Sequence, residues 1–247
     1  MFLSKASSLI DALLSVAYPQ SCRLCQREVE NRQLGVVCNE CWNSTRIFSE
    51  DASLCAKCGM PLLVLPRYAT DNLYCRRCES QTFNAARACG IYEKALRQSV
   101  LELKRQPNIA KHLSSLLQAV ATRSPFHETS RIIPVPLHPA RERARGFNQA
   151  DVIARSISTV LGAPIDEKSL VRTHYSERHR AGLDARGRWD TVSNAFTVSN
   201  PRLMRDEKVL LVDDVLTTGA TATSCASVLL NAGASSVCVL TIARSAR

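Results

Sequence analysis

The sequence predicts an α/β protein with a central parallel sheet flanked by helices, preceded by a small N-terminal zinc-ribbon domain. Two observations support this prediction. Towards the C-terminus, strands alternate with helices, which is typical of a parallel sheet; these segments are RIIPVPL, NQADVIARSISTVLG, KVLLVDD, ATATSCASVLLNAG and SSVCVLTIA. Towards the N-terminus, four Cys-x-x-Cys pairs fall within residues 22–78. We therefore expect two domains, residues 1–84 and 85–247.

Composition supports a folded core and a polyanionic partner. The chain has 247 residues, of which 45% are hydrophobic, enough for one sizeable α/β domain and a small second module. Its formal net charge of +10 favours a nucleic acid or a phosphorylated small molecule as the partner. A solvated basic surface without such a partner would carry the same charge, so net charge alone does not identify a ligand.

The first 22 residues, MFLSKASSLIDALLSVAYPQSC, predict an amphipathic helix that ends before Pro19. Lys5 and Asp11 interrupt its apolar residues, unlike the apolar core of a signal peptide. No segment approaches the roughly 20 apolar residues of a membrane span. The prediction is a cytoplasmic protein without an integral membrane span, with peripheral contact at the inner face of the membrane as an alternative.

The cysteine pattern predicts two structural zinc sites. Two residues between thiols allow both sulfurs to bind one tetrahedral ion, and eight thiolates complete two Cys₄ sites with no position left for water. Sequential pairing is the simplest arrangement, although the spacing also allows cross-braced pairing. A thioredoxin-type redox pair or an iron–sulfur cluster fits the repeated spacing less well. The predicted ligands are Cys22, Cys25, Cys38 and Cys41 for one zinc, and Cys55, Cys58, Cys75 and Cys78 for the other.

The segment VLLVDDVLTTGAT predicts a binding site between a strand and a helix. A turn at that position presents backbone N–H groups at the positive end of the helix dipole, which suits a phosphate. Paired carboxylates suit the vicinal hydroxyls of a sugar, directly or through Mg²⁺. The alternative is that the segment is an ordinary strand end and turn that binds no ligand. The acids are Asp213 and Asp214, and the phosphate loop is predicted to contain Thr217, Thr218, Gly219, Ala220 and Thr221.

At these residues the sequence resembles the 5-phosphoribosyl 1-pyrophosphate (PRPP) motif of type I phosphoribosyltransferases. The four cysteine pairs and the segments GIYEKALRQSVLELKRQ and PVPLHPARERARGFNQA resemble, more specifically, the ComF family of competence and GntX-like proteins. The resemblance extends over nearly the whole chain. It implies a type I phosphoribosyltransferase-like sheet behind a double zinc ribbon.

The resemblance also implies roles for particular residues. Asp213 and Asp214 would contact the ribose hydroxyls, Thr217 to Thr221 the 5-phosphate, and Arg145 the pyrophosphate. Further candidates on the pyrophosphate side are Arg143, Arg178, Arg180 and Arg188. Two positions depart from the family pattern: Arg180 stands where many relatives carry Gln, and Thr191 where an Asn is usual.

Two functions are compatible with these features. The first is a phosphoribosyltransferase that uses PRPP with Mg²⁺, has an unknown acceptor, and acts in DNA uptake, natural transformation or the use of external DNA. The second is a non-catalytic module that senses PRPP or binds single-stranded DNA or a protein of the DNA-translocation machinery. An intact PRPP loop is expected under both, and release of pyrophosphate separates them.

Overall fold

The computed structural model describes residues 19–62, 73–123, 125–173 and 195–246. The predicted N-terminal helix and the candidates Arg178, Arg180 and Arg188, together with Thr191, lie outside these residues. Within the described ranges, no helix combines the length and apolarity needed to cross a bilayer. The cytoplasmic location stays a prediction.

A four-stranded parallel sheet forms the centre of the molecule, with strand order β1-β6-β5-β2. The sequence predicts three of these strands. The fourth strand, β1, lies at one edge of the sheet and was not predicted. A separate antiparallel pair joins β3 to β4. The strands are β1 (Ala85–Ile91), β2 (Arg131–Pro134), β3 (Leu170–Arg172), β4 (Phe196–Val198), β5 (Lys208–Leu216) and β6 (Ser236–Arg244).

Six α-helices in the described residues accompany the sheet. The helix predicted within NQADVIARSISTVLG is present. It ends before Gly162, which adopts a left-handed conformation with φ 63°. The helices are α1 (Asn39–Asn43), α2 (Lys94–Leu103), α3 (Lys111–Ala121), α4 (Pro139–Arg145), α5 (Gln149–Leu161) and α6 (Ala220–Asn231). The parallel sheet flanked by helices confirms the predicted architecture.

Alternating side chains of the central strand β5 build a core on each face of the sheet. Leu210 and Val212 pack with α2, α3, α5 and the first cysteine cluster. Val209 and Leu211 pack with α6 and the second cysteine cluster. Neighbouring residues of a strand point to opposite faces, so β5 contributes to both cores. The first cysteine cluster belongs to one core and the second cluster to the other.

The cysteine-rich segment covers the edge strand β1. The N–H of Phe48 donates to the carbonyl of Cys89 (2.8 Å), and the N–H of Ile91 donates to the carbonyl of Arg46 (3.0 Å). A Cβ at Gly90 would lie 2.2 Å from the Arg46 carbonyl oxygen, so only glycine permits this approach. These contacts occupy backbone groups that an open sheet edge would expose, and they attach the zinc module to the sheet.

Candidate functional site

The eight paired cysteines form two clusters in sequential order. Within each cluster, all four sulfur atoms lie within 4.8 Å of one another. The Cys25–Cys38 and Cys58–Cys75 sulfur separations are both 3.5 Å. Tetrahedral zinc with bonds near 2.3 Å brings its sulfurs to about 3.8 Å, so both clusters fit Cys₄ zinc. The ligand sets are Cys22, Cys25, Cys38 and Cys41, and Cys55, Cys58, Cys75 and Cys78.

The second zinc site borders a buried guanidinium. Nη2 of Arg244, at the end of β6, lies 3.5 Å from Sγ of Cys58, and the residue is only 4% exposed. Its Nε and Nη1 atoms have no hydrogen-bond partner within the described residues. A buried cation needs a nearby negative charge, which a tetrathiolate zinc centre provides. This guanidinium is an independent indication that the cluster carries ionised thiolates.

The two acids lie within β5, not at its end as the sequence suggests. The strand continues through Val215 to Leu216 because its residues keep pairing with β6 as far as Arg244. Asp214 is 8% exposed and Asp213 is half-buried. Both side chains nevertheless line one cavity together with the phosphate loop.

The acid pair has unusual electrostatics. Desolvation, followed by repulsion from Asp214, raises the pKa of Asp213 to about 8. The N–H of Asp214 donates to Oδ1 of Asp213 (2.8 Å), which partly offsets this effect. Lys104 Nζ forms an ion pair with Asp214 Oδ2 at 2.8 Å. One carboxylate is therefore paired with a cation, while burial and the neighbouring charge favour the protonated form of the other.

The loop of residues 217–221, which is predicted to bind phosphate, has the backbone shape that its sequence requires. Gly219 has φ 85° and precedes the first turn of α6, where the N–H groups have no earlier carbonyl within the helix. Thr217 is exposed, whereas Ala220 is buried. Thr217, Thr218, Ala220 and Thr221 line the cavity, whereas Gly219 is absent from its lining and packs against Gln81.

The cavity has a volume of about 620 Å³ and contains more cations than acids. Four basic side chains accompany the two aspartates, one from the C-cap of α2, two from α4 and one from β3. Such a surplus suits a ligand carrying several phosphate groups. The basic residues are Lys104, Arg141, Arg145 and Arg172, and the remaining lining comprises Tyr92, Val135, Pro136, Leu137, Gln149 and Val215.

Arg145, the residue predicted to contact pyrophosphate, lines the cavity. It is the last residue of α4, its guanidinium donates to Oε1 of Gln149, and burial lowers its pKa. Asn148 fixes the connection behind it, since its Nδ2 donates to the carbonyl of Val135 (3.1 Å) while its Oδ1 accepts the N–H of Ala150 (3.1 Å). The loop after β2 and the start of α5 are thereby held together beside the cavity.

Two residues of the site have no sequence signal of their own. Arg172 reaches the cavity from β3, although no local motif marks it. Gln81 carries no sequence signal, yet its Nε2 donates to the Thr218 carbonyl (3.0 Å). Trp42 is buried, at 4% exposure, and packs edge-on against His112.

Comparison with protein families identifies the N-terminal module. Residues 13–79 match the model of the double zinc ribbon domain. Among solved structures, the chain is similar to glutamine PRPP amidotransferase from B. subtilis, complexed with ADP and GMP, at 19% identity and a TM-score of 0.38. That alignment covers 57% of this chain and 30% of the amidotransferase.

Curated relatives match nearly the whole chain. The DNA utilization protein YhgH of Shigella flexneri is 32% identical over 235 residues, which is 92% of this chain and 98% of that protein. Competence protein F of Haemophilus influenzae is 35% identical over 115 residues, covering 46% of this chain and 50% of that protein. With its double zinc ribbon and parallel α/β domain, the chain belongs to the ComF family.

Proposed function

We propose that this protein binds PRPP together with Mg²⁺ in the cavity beside β5, and that it acts in the uptake or use of external DNA. The observation that carries the ligand assignment is the convergence of Asp213, Asp214, the phosphate loop and four basic side chains on one cavity. The names of the relatives supply the biological context, since they describe DNA utilization and competence.

The arrangement of charges suggests an orientation for PRPP. The loop from Thr217 to Thr221 suits the 5-phosphate because it combines hydroxyl donors with the N-terminus of α6. Asp213 and Asp214 suit the ribose hydroxyls. Arg145, which also lines the cavity, suits the pyrophosphate. The ligand would then extend across the acids from one phosphate-binding end to the other.

Mg²⁺ fits the same site because hard cations prefer carboxylate, hydroxyl and phosphate oxygens. In this orientation, the ion would offset the negative charge of pyrophosphate and bind the oxygens of the ribose hydroxyls. Lys104 would remain beside Asp214 and limit the negative charge of the acid pair. The chain itself would contribute orientation and electrostatic stabilisation.

Transfer of phosphoribose is the reaction that this site would support. The bond from C1 to the pyrophosphate oxygen breaks, and the leaving group departs with its electron pair. A nitrogen nucleophile of the acceptor forms the new bond to C1 and loses its proton. Arg145 would stabilise the charge that develops on the leaving pyrophosphate. A protein that binds PRPP as a signal would use the same contacts without releasing pyrophosphate.

The test is calorimetric titration of zinc-replete protein with PRPP and Mg²⁺. We expect the double variant Asp213→Asn, Asp214→Asn to lose binding while keeping two zincs per chain. Asp206→Asn, at an exposed position outside the cavity, is the matched control and should bind as wild type. Normal binding by the double variant would refute the site. An acceptor screen for pyrophosphate release then distinguishes transferase from sensor.

The DNA role has a separate test. Single-stranded oligonucleotides should bind with an affinity that falls as salt rises, because phosphate contacts release counterions. The Asp213→Asn, Asp214→Asn variant would show whether DNA uses the PRPP cavity. Equal DNA binding by wild type and variant would place DNA elsewhere, and no binding at low salt would instead favour a protein partner.

A further inference from the structure

We propose that Gln81 is a positioning residue through which the second zinc site holds the phosphate loop in its ligand-binding shape. The proposal gives the zinc module a role in the ligand site of the α/β domain. It rests on the proposed function for the identity of the ligand, whereas the coupling between zinc and loop can be measured without any ligand.

Gln81 contacts the phosphate loop at its most constrained point. The side chain is 4% exposed, and Nε2 donates to the Thr218 carbonyl at 3.0 Å. A Cβ added to Gly219 would lie 2.5 Å from the same nitrogen. The amide therefore supports the loop from behind and fills the space that a side chain at position 219 would need.

The segment carrying Gln81 begins at a zinc ligand. The N–H of Gln81 donates to the carbonyl of Cys78 (3.1 Å), and Cys78 belongs to the second cluster. Gln81, which supports the loop, lies only three positions after the metal ligand Cys78 in the sequence. A shift of Cys78 on zinc loss would thus be passed directly to the Gln81 amide.

Two further contacts hold this segment against the α/β domain. Thr82 Oγ1 donates to the carbonyl of Thr223 in α6 (2.9 Å). The N–H of Asn84 donates to the carbonyl of Val237, and Asn84 Oδ1 accepts the N–H of Val237. Because the residues that follow Gln81 are fixed to α6 and β6, the Gln81 side chain has a defined place beside the loop.

A second connection to the loop starts from another ligand of the same zinc cluster, Cys58. Arg244 contacts Cys58, and the next residue, Ser245, donates its N–H to the carbonyl of Leu216 (3.0 Å). Leu216 immediately precedes the phosphate loop. The cluster is therefore linked to the residue before the loop through β6 and to the loop itself through Gln81.

Three variants separate the contributions of the metal and the amide. Gln81→Met keeps the approximate volume but removes the hydrogen bond, and should retain two zincs. Cys75→Ser should remove the second zinc, whereas Cys25→Ser, its counterpart in the first cluster, should remove the other. Zinc content is measured for each variant. Amide hydrogen exchange is then followed in peptides covering residues 215–225, with α5 as the internal reference.

We expect Gln81→Met to accelerate loop exchange about fivefold, the effect of losing one ordinary hydrogen bond. Cys75→Ser should accelerate loop exchange at least as much, whereas Cys25→Ser should leave it within twofold of wild type. Unchanged exchange in Gln81→Met would overturn the proposal. Equal acceleration by the two cysteine variants would also overturn it, by showing that zinc loss acts through general destabilisation.

Ligand binding provides a readout that a general structural defect would not reproduce. Gln81→Met should weaken the binding of ribose 5-phosphate, which would occupy the loop, about fivefold. The affinity for inorganic pyrophosphate, which would bind beside Arg145, should not change. Equal loss for both probes would contradict a positioning role. If wild type binds neither probe, the proposed function fails, and the exchange experiment in the ligand-free protein still decides the coupling.

Discussion

Lys104 Nζ lies 2.8 Å from Asp214 Oδ2, joining two cavity-lining residues that are 110 positions apart in the sequence. Lys104 directly follows α2, at its C-cap, and Asp214 lies in β5, so packing of that helix against the sheet creates the pair. The ion pair makes the acid pair less negative before any ligand binds. The affinity of the empty site for a free cation is thereby limited.

Replacing Lys104 should expose this effect. We expect Lys104→Met to bind Mg²⁺ about threefold more tightly than wild type in the absence of PRPP, since partly exposed ion pairs contribute up to about 1 kcal/mol. Titration calorimetry with MgCl₂ measures the change. Arg105→Met, which removes the neighbouring exposed charge, is the control. Equal increases in both variants would show that overall charge, not the Asp214 contact, sets the affinity.

Gly219→Ala should lower stability for two reasons. Alanine is strained at φ 85°, and its Cβ would overlap Nε2 of Gln81. Gly146→Ala is a matched control because Gly146 has φ 83° with open space around its Cβ. We expect about 1 kcal/mol of destabilisation for Gly146→Ala and roughly 1–3 kcal/mol more for Gly219→Ala by urea unfolding. Equal losses would argue against close packing by Gln81.

The raised pKa of Asp213 predicts a pH-dependent stability. Between about pH 4 and pH 8 the folded protein retains a proton that the unfolded chain has released. Because the unfolded state then binds fewer protons, the free energy of unfolding falls as pH rises. Asp213→Asn removes this contribution, so its stability relative to wild type should improve steadily from pH 6 to pH 8 in urea titrations.

An exposed carboxylate provides the comparison for that experiment. Asp206→Asn, a change of an exposed carboxylate outside the cavity, is measured over the same pH range. A constant difference for Asp213→Asn would mean that Asp213 is already ionised at pH 6 in the folded protein.

Arg244→Met should weaken the second zinc site selectively. The guanidinium is the buried cation beside Cys58, so its loss leaves the thiolates of that cluster less well neutralised. We expect zinc release to a chelator to accelerate at least tenfold for one of the two ions. Arg27→Met provides the control, since Arg27 lies exposed beside the first cluster and water screens its charge. Similar release from both variants would refute a special role for burial.

Local motifs determined much of this protein from sequence alone. The cysteine spacing predicts both zinc sites and favours their sequential pairing, because chelation by Cys-x-x-Cys depends on a few neighbouring residues. The apolar run before Asp213 and the glycine at position 219 likewise predict the strand and the turn, since local sterics govern both. The continuation of β5 beyond the acids was missed because it depends on pairing with β6.

Only the tertiary structure decided which distant residues complete the site. Lys104, Arg172 and Gln81 come from separate segments, and no spacing in the sequence relates them to β5. Their positions follow from helices and zinc clusters packing on opposite faces of the sheet. Such contacts depend on long-range burial and shape complementarity, which a local pattern does not encode, whereas metal chelation and turn geometry are properties of a few adjacent residues.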